Sequence, residues 1–497
     1  VGGVGFAPSL VMRILSYIST RHDFLSIEVE IALVPGLHQI QVLGLPDKLI
    51  NESSKRILSA LTHQGFRLPP GKQIVVNLFP NHLAKSSQGL DLALAIGILV
   101  ECGAIAKDSF DFSKTHFYGA LGLNGEVFAP ADLANFEDES LSSPLVTGKG
   151  AGEQNFSFYE LENLKSFPTH LQFKESKKKK LWERPTINAN LKFSKSMAEL
   201  LSIIAVGEHP TLLAGDAGIG KTTLVEAVSP LIRPPKEKEF FKIRKYWRRD
   251  GRVLNWRPVL QPHHSSSPVA MIGGRVPPRP GELTLAHTGI LILDELLEFH
   301  PQVQSALREP MEKGLIQVSR GGERKIFPAR SLILATTNLC LCGKFHPQKR
   351  NRCRCSSQSL RRYLERLSGP FLDRFSIFHL IFEANKKEKE DGDQVSQRQG
   401  YDRVSKAIEF ASRRGQEKSN QYLALDQIIE TMDPQVDLKW APHTSNRRRK
   451  QSLFRVARTL ADLSGSETIQ REHLNRSSLW TTRDFHRLQD YGFECYF

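Results

Sequence analysis

The run Gly215-Asp216-Ala217-Gly218-Ile219-Gly220-Lys221-Thr222, with Thr223 next, follows a short apolar stretch, Thr211-Leu212-Leu213-Ala214, and precedes a helical pattern. Its spacing is GxxxxGK[ST]. Glycines let backbone N–H groups close around phosphates, the Lys221 ammonium reaches the β- and γ-phosphates, and the Thr222 hydroxyl ligates Mg2+. The competing reading is a glycine-rich turn, which the flanking strand and helix make a poor account. About seventy residues on, Ile290-Leu291-Ile292-Leu293 predicts a buried strand ending in Asp294-Glu295. After a phosphate loop, Asp294 is expected to hold Mg2+ through water and Glu295 to polarise the attacking water. Alone, the two acids would read as a helix cap. A second strand, Ser331 to Thr337, delivers Asn338 between these acids and the γ-phosphate; by itself Asn338 would be a turn residue.

Four of the six cysteines form a second constellation, Cys340, Cys342, Cys353 and Cys355, as C-x-C, ten residues, C-x-C. In extended chain, residues two apart point the same way, so each pair offers two thiolates to one tetrahedral Zn2+. The alternative is four reduced thiols bracing a loop. Cys102 and Cys495 stand alone, and six cysteines in 497 residues exclude a disulfide scaffold. Hydrophobic residues at 40% and charged at 24%, with no apolar run long enough to span a bilayer, exclude an integral membrane protein. The start, Val1-Gly2-Gly3-Val4-Gly5-Phe6, has neither an initiator Met nor the order of a secretory signal; a fragment or processed start of a cytoplasmic chain is expected. A net charge of +15 favours a polyanionic partner without naming one.

Around these groups the chain divides. From Met12 to Leu133 strand patterns (25–31, 73–78) mix with helical ones (51–63, 90–102), an α+β domain placed at 1–138. Residues 139–185 turn polar, with the run Lys177–Lys180, and read as a linker. Over 186–385, a helix at 191–207 and repeated strand-helix alternation predict an α/β domain with a parallel sheet that presents the phosphate loop and carries the Cys-x-Cys insert. Residues 386–497 read as a charged linker and an all-helical domain whose best amphipathic segment is 452–463. For nucleic acid the candidates are the hairpin 317–326 with Arg320, Arg324 and Lys325, the insert at 269–275, and the basic aromatic stretch 242–249. Each of these charges also has the plain reading of an exposed surface group.

Taken in order, Pro262-His263-His264-Ser265, Pro278-Arg279-Pro280-Gly281-Glu282-Leu283, Leu285-Ala286-His287, Leu293-Asp294-Glu295-Leu296, Asn338, the Cys-x-Cys pairs and Leu367-Ser368-Gly369-Pro370-Phe371-Leu372-Asp373-Arg374 resemble the magnesium-chelatase-like AAA+ ATPases of the ComM/YifB type. In the N-terminal half, Gly44-Leu45-Pro46-Asp47, Asn77-Leu78 and 90–99 are similar to that family's Lon-protease-like, ChlI-like domain. Residues 454–463 resemble its helical lid. The resemblance implies ATP and Mg2+ as cofactors and a hexameric ring with ATP between subunits. It makes Arg374 the arginine finger supplied in trans and one of Arg447, Arg448 and Arg449 the sensor-2 arginine in cis, with Arg448 favoured by spacing. It also implies DNA, single-stranded or branched, as partner, gripped by pore hairpins at Arg320, Arg324 and Lys325. Departures mark a divergent member. Asp216 and Ala217 replace prolines, and Asp216 sets a negative charge beside the phosphate cradle. Asp91 stands where a Lon-type serine nucleophile is expected, so a protease fold without protease chemistry is expected; only labelling of Ser86 or Ser87 by a serine reagent would revive it.

The leading expectation is an ATP-driven DNA motor resembling helicases of branch migration in natural transformation. Two rivals stay open: a chelatase- or chaperone-type protein remodeller using the same nucleotide site, and a nucleotide-binding regulator with weak turnover, suggested by the loop departures.

Overall fold

The computed structural model describes residues 11–19, 24–37, 39–43, 47–79, 89–136, 143–152, 154, 156–176, 182–216, 218, 220–249, 254–346, 353–367, 369–381, 394–436 and 447–486, in two units, Val1–Leu181 and Trp182–Phe497. In the first unit, alternating burial along β1 (Met12–Ser19), β2 (Phe24–Pro35), β3 (Ile40–Leu43) and β4 (Lys72–Phe79) is the period-two signature of a sheet with one packed face. β1 and β4 flank β2 antiparallel, and β3 runs parallel to β4. Helix α1 (Asp47–His63) links β3 to β4. Helix α2 (Asp91–Glu101) is buried from Asp91 to Val100, as expected of a helix apolar on every side. Gly97 lets it settle on the sheet, where a Cβ would stand 2.2 Å from the Ile31 Cδ1.

The stretch expected as a linker is corrected here. After β5 (His116–Phe117) and the small ribbon of β6 (Ala120–Leu121) and β7 (Val127–Phe128), residues from 145 on supply β8 (Leu145–Gly148), β9 (Phe158–Leu161) and β10 (Gln172–Lys174). These complete one eight-stranded sheet in the order β10-β9-β8-β5-β1-β2-β4-β3. The reason is local: β8 is wholly buried, and Phe136, Leu145, Phe156 and Phe158 form their own core with Tyr17 and Tyr118. The strands are short and end at a sheet edge, so polar neighbours dominate the composition. Lys177–Lys180 lie outside the described residues.

In the second unit, β11 (Lys192–Ser194) precedes α3 (Lys195–Gly207), so the helix expected from 191 starts later, where the Ser194 hydroxyl accepts from the Met197 N–H at 3.3 Å. Then come β12 (Thr211–Gly215), α4 (Lys221–Glu226), α5 (Glu237–Arg249), β13 (Val259–Leu260), α6 (Pro268–Ile272), α7 (Glu282–Leu285) and β14 (Ile290–Leu293). They are followed by α8 (Pro301–Lys313), β15 (Leu315–Arg320), β16 (Glu323–Pro328), β17 (Leu332–Thr337), α9 (Ser357–Leu364), α10 (Gly369–Leu372) and β18 (Ile377–Ile381). The sheet order β13-β14-β17-β12-β18 is parallel throughout, and β12, β14, β17 and β18 are buried along their whole length, as helix-covered parallel strands must be. Short β19 (Gln394–Ser396) pairs with β11. The C-terminal region is helical as expected: α11 (Gln397–Arg413), α12 (Leu425–Ile429), α13 (Arg447–Ser464) and α14 (Arg471–Ser478). Val404, Ala407, Val456 and Leu460 share a core with α3 and the sheet. Buried His209 ties the layers polar to polar, 2.8 Å from Thr459 Oγ1 and 3.1 Å from Gln421 Oε1.

Candidate active site

A parallel sheet delivers the ends of its strands to one edge, and three of the expected groups arrive there: the phosphate loop after β12, Asp294-Glu295 after β14 and Asn338 after β17. Gly215 closes β12 at φ +154, and a Cβ on it would lie 1.7 Å from the Ile381 carbonyl oxygen, so the turn admits glycine alone. Gly218 and Gly220 take φ +78 and +87, and Gly220 leads into α4, which carries Lys221, Thr222 and Thr223. Ala217 and Ile219 lie outside the described residues. The buried Lys221 ammonium donates to the carbonyls of Gly215 at 3.0 Å and Asp216 at 2.7 Å and to Asn338 Oδ1 at 3.1 Å. Burial lowers its pKa, while Asp216, Asp294 and Glu295 push the other way. Asp216 Oδ1 is buried with no hydrogen-bond partner among the described residues, which leaves a bare negative oxygen at the cradle.

Asp294 is held from three sides. Thr222 Oγ1 donates to its Oδ2 at 3.3 Å, Gln261 Nε2 donates to the same oxygen at 3.3 Å, and the Thr336 hydroxyl donates to Oδ1. Paired hydroxyl and carboxylate oxygens at this separation are the hard donors Mg2+ takes. Thr336 also accepts from the Glu295 N–H at 3.2 Å. Glu295 sits at φ +54, a left-handed conformation that costs a non-glycine residue roughly 1–3 kcal/mol, and its half-exposed carboxylate lies 3.8 Å from His264 Nδ1. Thr336 was not singled out from the sequence, and Gln261 and His264, at the Pro262-His263-His264-Ser265 motif, were given no role at this site. The signal for Thr336 is register: Leu293 pairs with Ala335, so the next residues along, Asp294 and Thr336, are neighbours.

Arg374 and Arg448 gather elsewhere. The Glu312 carboxylate accepts from Arg374 Nη2 at 2.8 Å and from Arg448 Nη2 at 3.0 and 3.2 Å. They border a polar cavity of about 350 Å3 that is also lined by Pro210, Ser331 and Ser376. Those three precede β12, β17 and β18, so the cluster lies at the amino-terminal edge of the sheet, opposite the phosphate loop. Four steps of strand from Thr211 to Gly215, at about 3.3 Å each, put roughly 13 Å between the edges. This corrects the expectation for Arg448: it stands beside Arg374, away from its own chain's loop. Arg449, next to it on α13, points inward, donating to the carbonyls of Leu372 at 3.0 Å and Phe375 at 2.6 Å and covering Phe378 and Phe485. It braces the turn that carries Arg374.

The four cysteine sulfurs lie within 4.8 Å of one another, with separations of 3.3 Å (Cys340–Cys342), 3.5 Å (Cys342–Cys353) and 3.7 Å (Cys340–Cys353). Zn–S bonds of about 2.3 Å place tetrahedral sulfurs about 3.8 Å apart, so the set fits Zn2+ with little movement. Burial raises the Cys342 pKa, but hydrogen bonds from the N–H groups of Arg354 and Lys344 and from the Cys340 and Cys353 thiols together bring it down to about 6.

The expected hairpin is β15 paired with β16, turning on Gly321 and Gly322 at φ +58 and +79. Arg320 and Arg324 are exposed, Arg324 donating to Gln317 Oε1 at 2.7 Å, and Lys325 is half-buried. Val276, directly after the insert at 269–275, comes to the same tip, its Cγ1 2.9 Å from where a Gly321 Cβ would be. The stretch 242–249 belongs to α5, and its aromatics pack inward: Trp247 Nε1 donates to the Leu285 carbonyl at 2.9 Å and Tyr246 meets Phe327. In the first unit, Asp91 is buried, ion-paired to Arg56 at 2.8 Å and bonded to Ser53. Lys85, Ser86 and Ser87 lie outside the described residues.

Three family models match: magnesium chelatase, subunit ChlI, over residues 189–389; subunit ChlI of Mg-chelatase over 29–133; and magnesium chelatase, subunit ChlI C-terminal, over 395–478. The protein YifB of Escherichia coli K12 is 31% identical over 491 residues, covering 91% of this chain and 93% of its own. Competence protein ComM of Haemophilus influenzae is 31% identical over 487 residues, covering 90% and 93%. A DNA replication licensing factor, Mcm6 of Anopheles gambiae, is 32% identical over 101 residues, 20% of this chain and 11% of its own. No helix among the described residues is long and apolar enough to cross a membrane. Matched by ChlI models across both units and by two relatives over nine-tenths of its length, the chain belongs to the magnesium-chelatase-like AAA+ ATPases as a divergent member of the ComM/YifB type.

Proposed function

We propose that this protein is a ring-forming, ATP-hydrolysing motor that acts on DNA in the cytoplasm, a hexamer that drives branch migration in recombination during natural transformation. The observation that carries the motor reading is the separation of the two clusters. Lys221, Thr222, Asp294, Glu295 and Asn338 converge on one edge of the sheet, and Arg374 and Arg448 on the other. A guanidinium that must touch a γ-phosphate from that far edge has to be lent by a neighbouring subunit. Lys221 binds the phosphates, and Asn338 orients the γ-phosphate and the water. Glu295 takes the proton of the attacking water, and the neighbour's Arg374 and Arg448 meet the charge that develops. Thr222 and Asp294 would hold Mg2+, which when bound neutralises phosphate charge.

DNA as the track is supported by the net charge of +15, the exposed Arg320 and Arg324 at a hairpin tip, and kinship with a competence protein. ATPase rates of the full chain, with and without single-stranded or forked DNA at two salt concentrations, test it. Stimulation that weakens as salt rises is the expected result. In the variant with Arg320, Arg324 and Lys325 all changed to Ala, three lost phosphate contacts should flatten the slope of log affinity against log salt by about 2. Turnover indifferent to DNA would leave the protein-remodelling reading, which the same nucleotide site would serve.

The cysteine cluster is assigned to one Zn2+ per chain, bracing the segment between Asn338 and Arg374. Purified protein is expected to carry about one equivalent of zinc, and Cys342→Ser to lose at least tenfold in zinc affinity. Metal-free protein that takes up no added zinc would remove the assignment.

A further inference from the structure

We propose that Glu312 couples the arginines that meet the neighbouring subunit's nucleotide to the hairpin that meets DNA; the inference rests on the motor reading above. Glu312 lies in the last turn of α8, and its one carboxylate holds both Arg374 and Arg448. Two residues later α8 ends at Gly314, and β15 begins at once. Gly314 is the foot of the hairpin. Its N–H donates to the Pro310 carbonyl at 2.8 Å, closing the helix, and its carbonyl accepts from the Ala329 N–H at 2.9 Å, closing the hairpin. It takes φ +68, and a Cβ there would stand 2.6 Å from Arg330 Cγ, so the joint is built for glycine.

From this foot the hairpin is paired at every step from Leu315 and Pro328 to Arg320 and Glu323, with Ile316, Val318 and Phe327 packed into the core and the tip exposed. Six residues of strand reach about 20 Å from foot to tip, so a shift of the foot is passed along the ladder together with the core side chains beneath it. Glu312 is therefore placed where a change in the arginine cluster is passed through the end of α8 to Arg320. The change has a chemical cause. A γ-phosphate carries more negative charge than a carboxylate and competes for the same guanidinium forks. When a neighbour's nucleotide draws Arg374 and Arg448 away, Glu312 loses the partners that hold the end of α8. Hydrogen bonds from Arg448 hold the Glu312 carboxyl below its usual range, with Arg374 adding to the effect, so it stays charged and able to reclaim them after hydrolysis. The Glu312–Arg448 pair is half exposed at both ends and weak enough to exchange within a cycle, whereas Arg374 is 11% exposed and is the more firmly held of the two.

Glu312→Gln keeps shape and removes the charge. In the full chain, DNA affinity is expected to stay within about twofold of wild type, and DNA-free turnover, which freeing Arg374 and Arg448 can shift, is measured on the same preparation as the baseline. The stimulation of turnover by saturating single-stranded DNA should fall at least fivefold, towards none. In the background of the hairpin variant, the same substitution should change nothing further, because both lie on one path. Full stimulation in Glu312→Gln would overturn the coupling and leave the motor standing. Equal loss of DNA-free and DNA-stimulated turnover would overturn it too, by making Glu312 a structural or catalytic group. Wild-type protein that DNA does not stimulate would take down the motor reading and the coupling together.

Discussion

Glu295→Gln is expected to lower steady-state ATP turnover by roughly 10²–10⁴-fold while leaving nucleotide affinity nearly unchanged, the loss typical of removing a positioned general base. The argument is geometric. Binding rests on Lys221 and the glycine turn, which Glu295 does not touch, so an amide in its place spares the ground state. The amide cannot take a proton from water. The Glu295 backbone is also left-handed, with its N–H donating to the Thr336 hydroxyl, a strained arrangement kept where aim matters. Fluorescent-nucleotide titration and a phosphate-release assay on the same preparation separate the two effects. Lys221→Ala serves as the contrast, since there the affinity itself must collapse. Turnover of Glu295→Gln within tenfold of wild type would move the base elsewhere, with His264, 3.8 Å from Glu295, first in line.

The groups legible in the sequence are those whose chemistry forces local spacing. A loop that wraps phosphates must place Gly215, Gly220, Lys221 and Thr222 at fixed offsets, and an apolar strand that delivers Asp294 and Glu295 must end where its hydrophobic run ends. Thr336 and Glu312 carry no such mark. Thr336 becomes a partner of Asp294 only through the pairing of β14 with β17, and Glu312 meets Arg374 across 62 residues and Arg448 across 136. The triple arginine shows the limit most clearly. Successive residues on a helix point about 100° apart, so of two identical neighbours Arg448 faces Glu312 and Arg449 enters the core. Composition cannot tell them apart. It misled again over 139–185, where the buried β8 hides among polar residues because its neighbours form the edge of a sheet. The parallel sheet was legible for the opposite reason: strands buried on both faces have few polar positions to dilute the pattern.

Arg374→Ala is expected to cost roughly 10³–10⁵ in turnover, as for other arginines that meet a transferring γ-phosphate, with nucleotide binding retained. A single variant cannot say whose nucleotide the arginine serves, but mixing can. Lys221→Ala chains have a dead loop and an intact Arg374; Arg374→Ala chains have the reverse. If each site joins the loop of one subunit to the arginine of the next, an equal mixture rebuilds working sites wherever an Arg374→Ala chain presents its loop to a Lys221→Ala neighbour. Random assembly makes that about a quarter of the interfaces in a closed ring, so about a quarter of wild-type turnover returns from two inactive proteins. Arginine and loop in one chain would give no recovery at any ratio, because no chain in the mixture carries both. The roughly 13 Å of strand between the two clusters argues for recovery. The same mixture made with Arg448→Ala in place of Arg374→Ala should recover as well, since both guanidinium groups share the Glu312 carboxylate and must face the same neighbour.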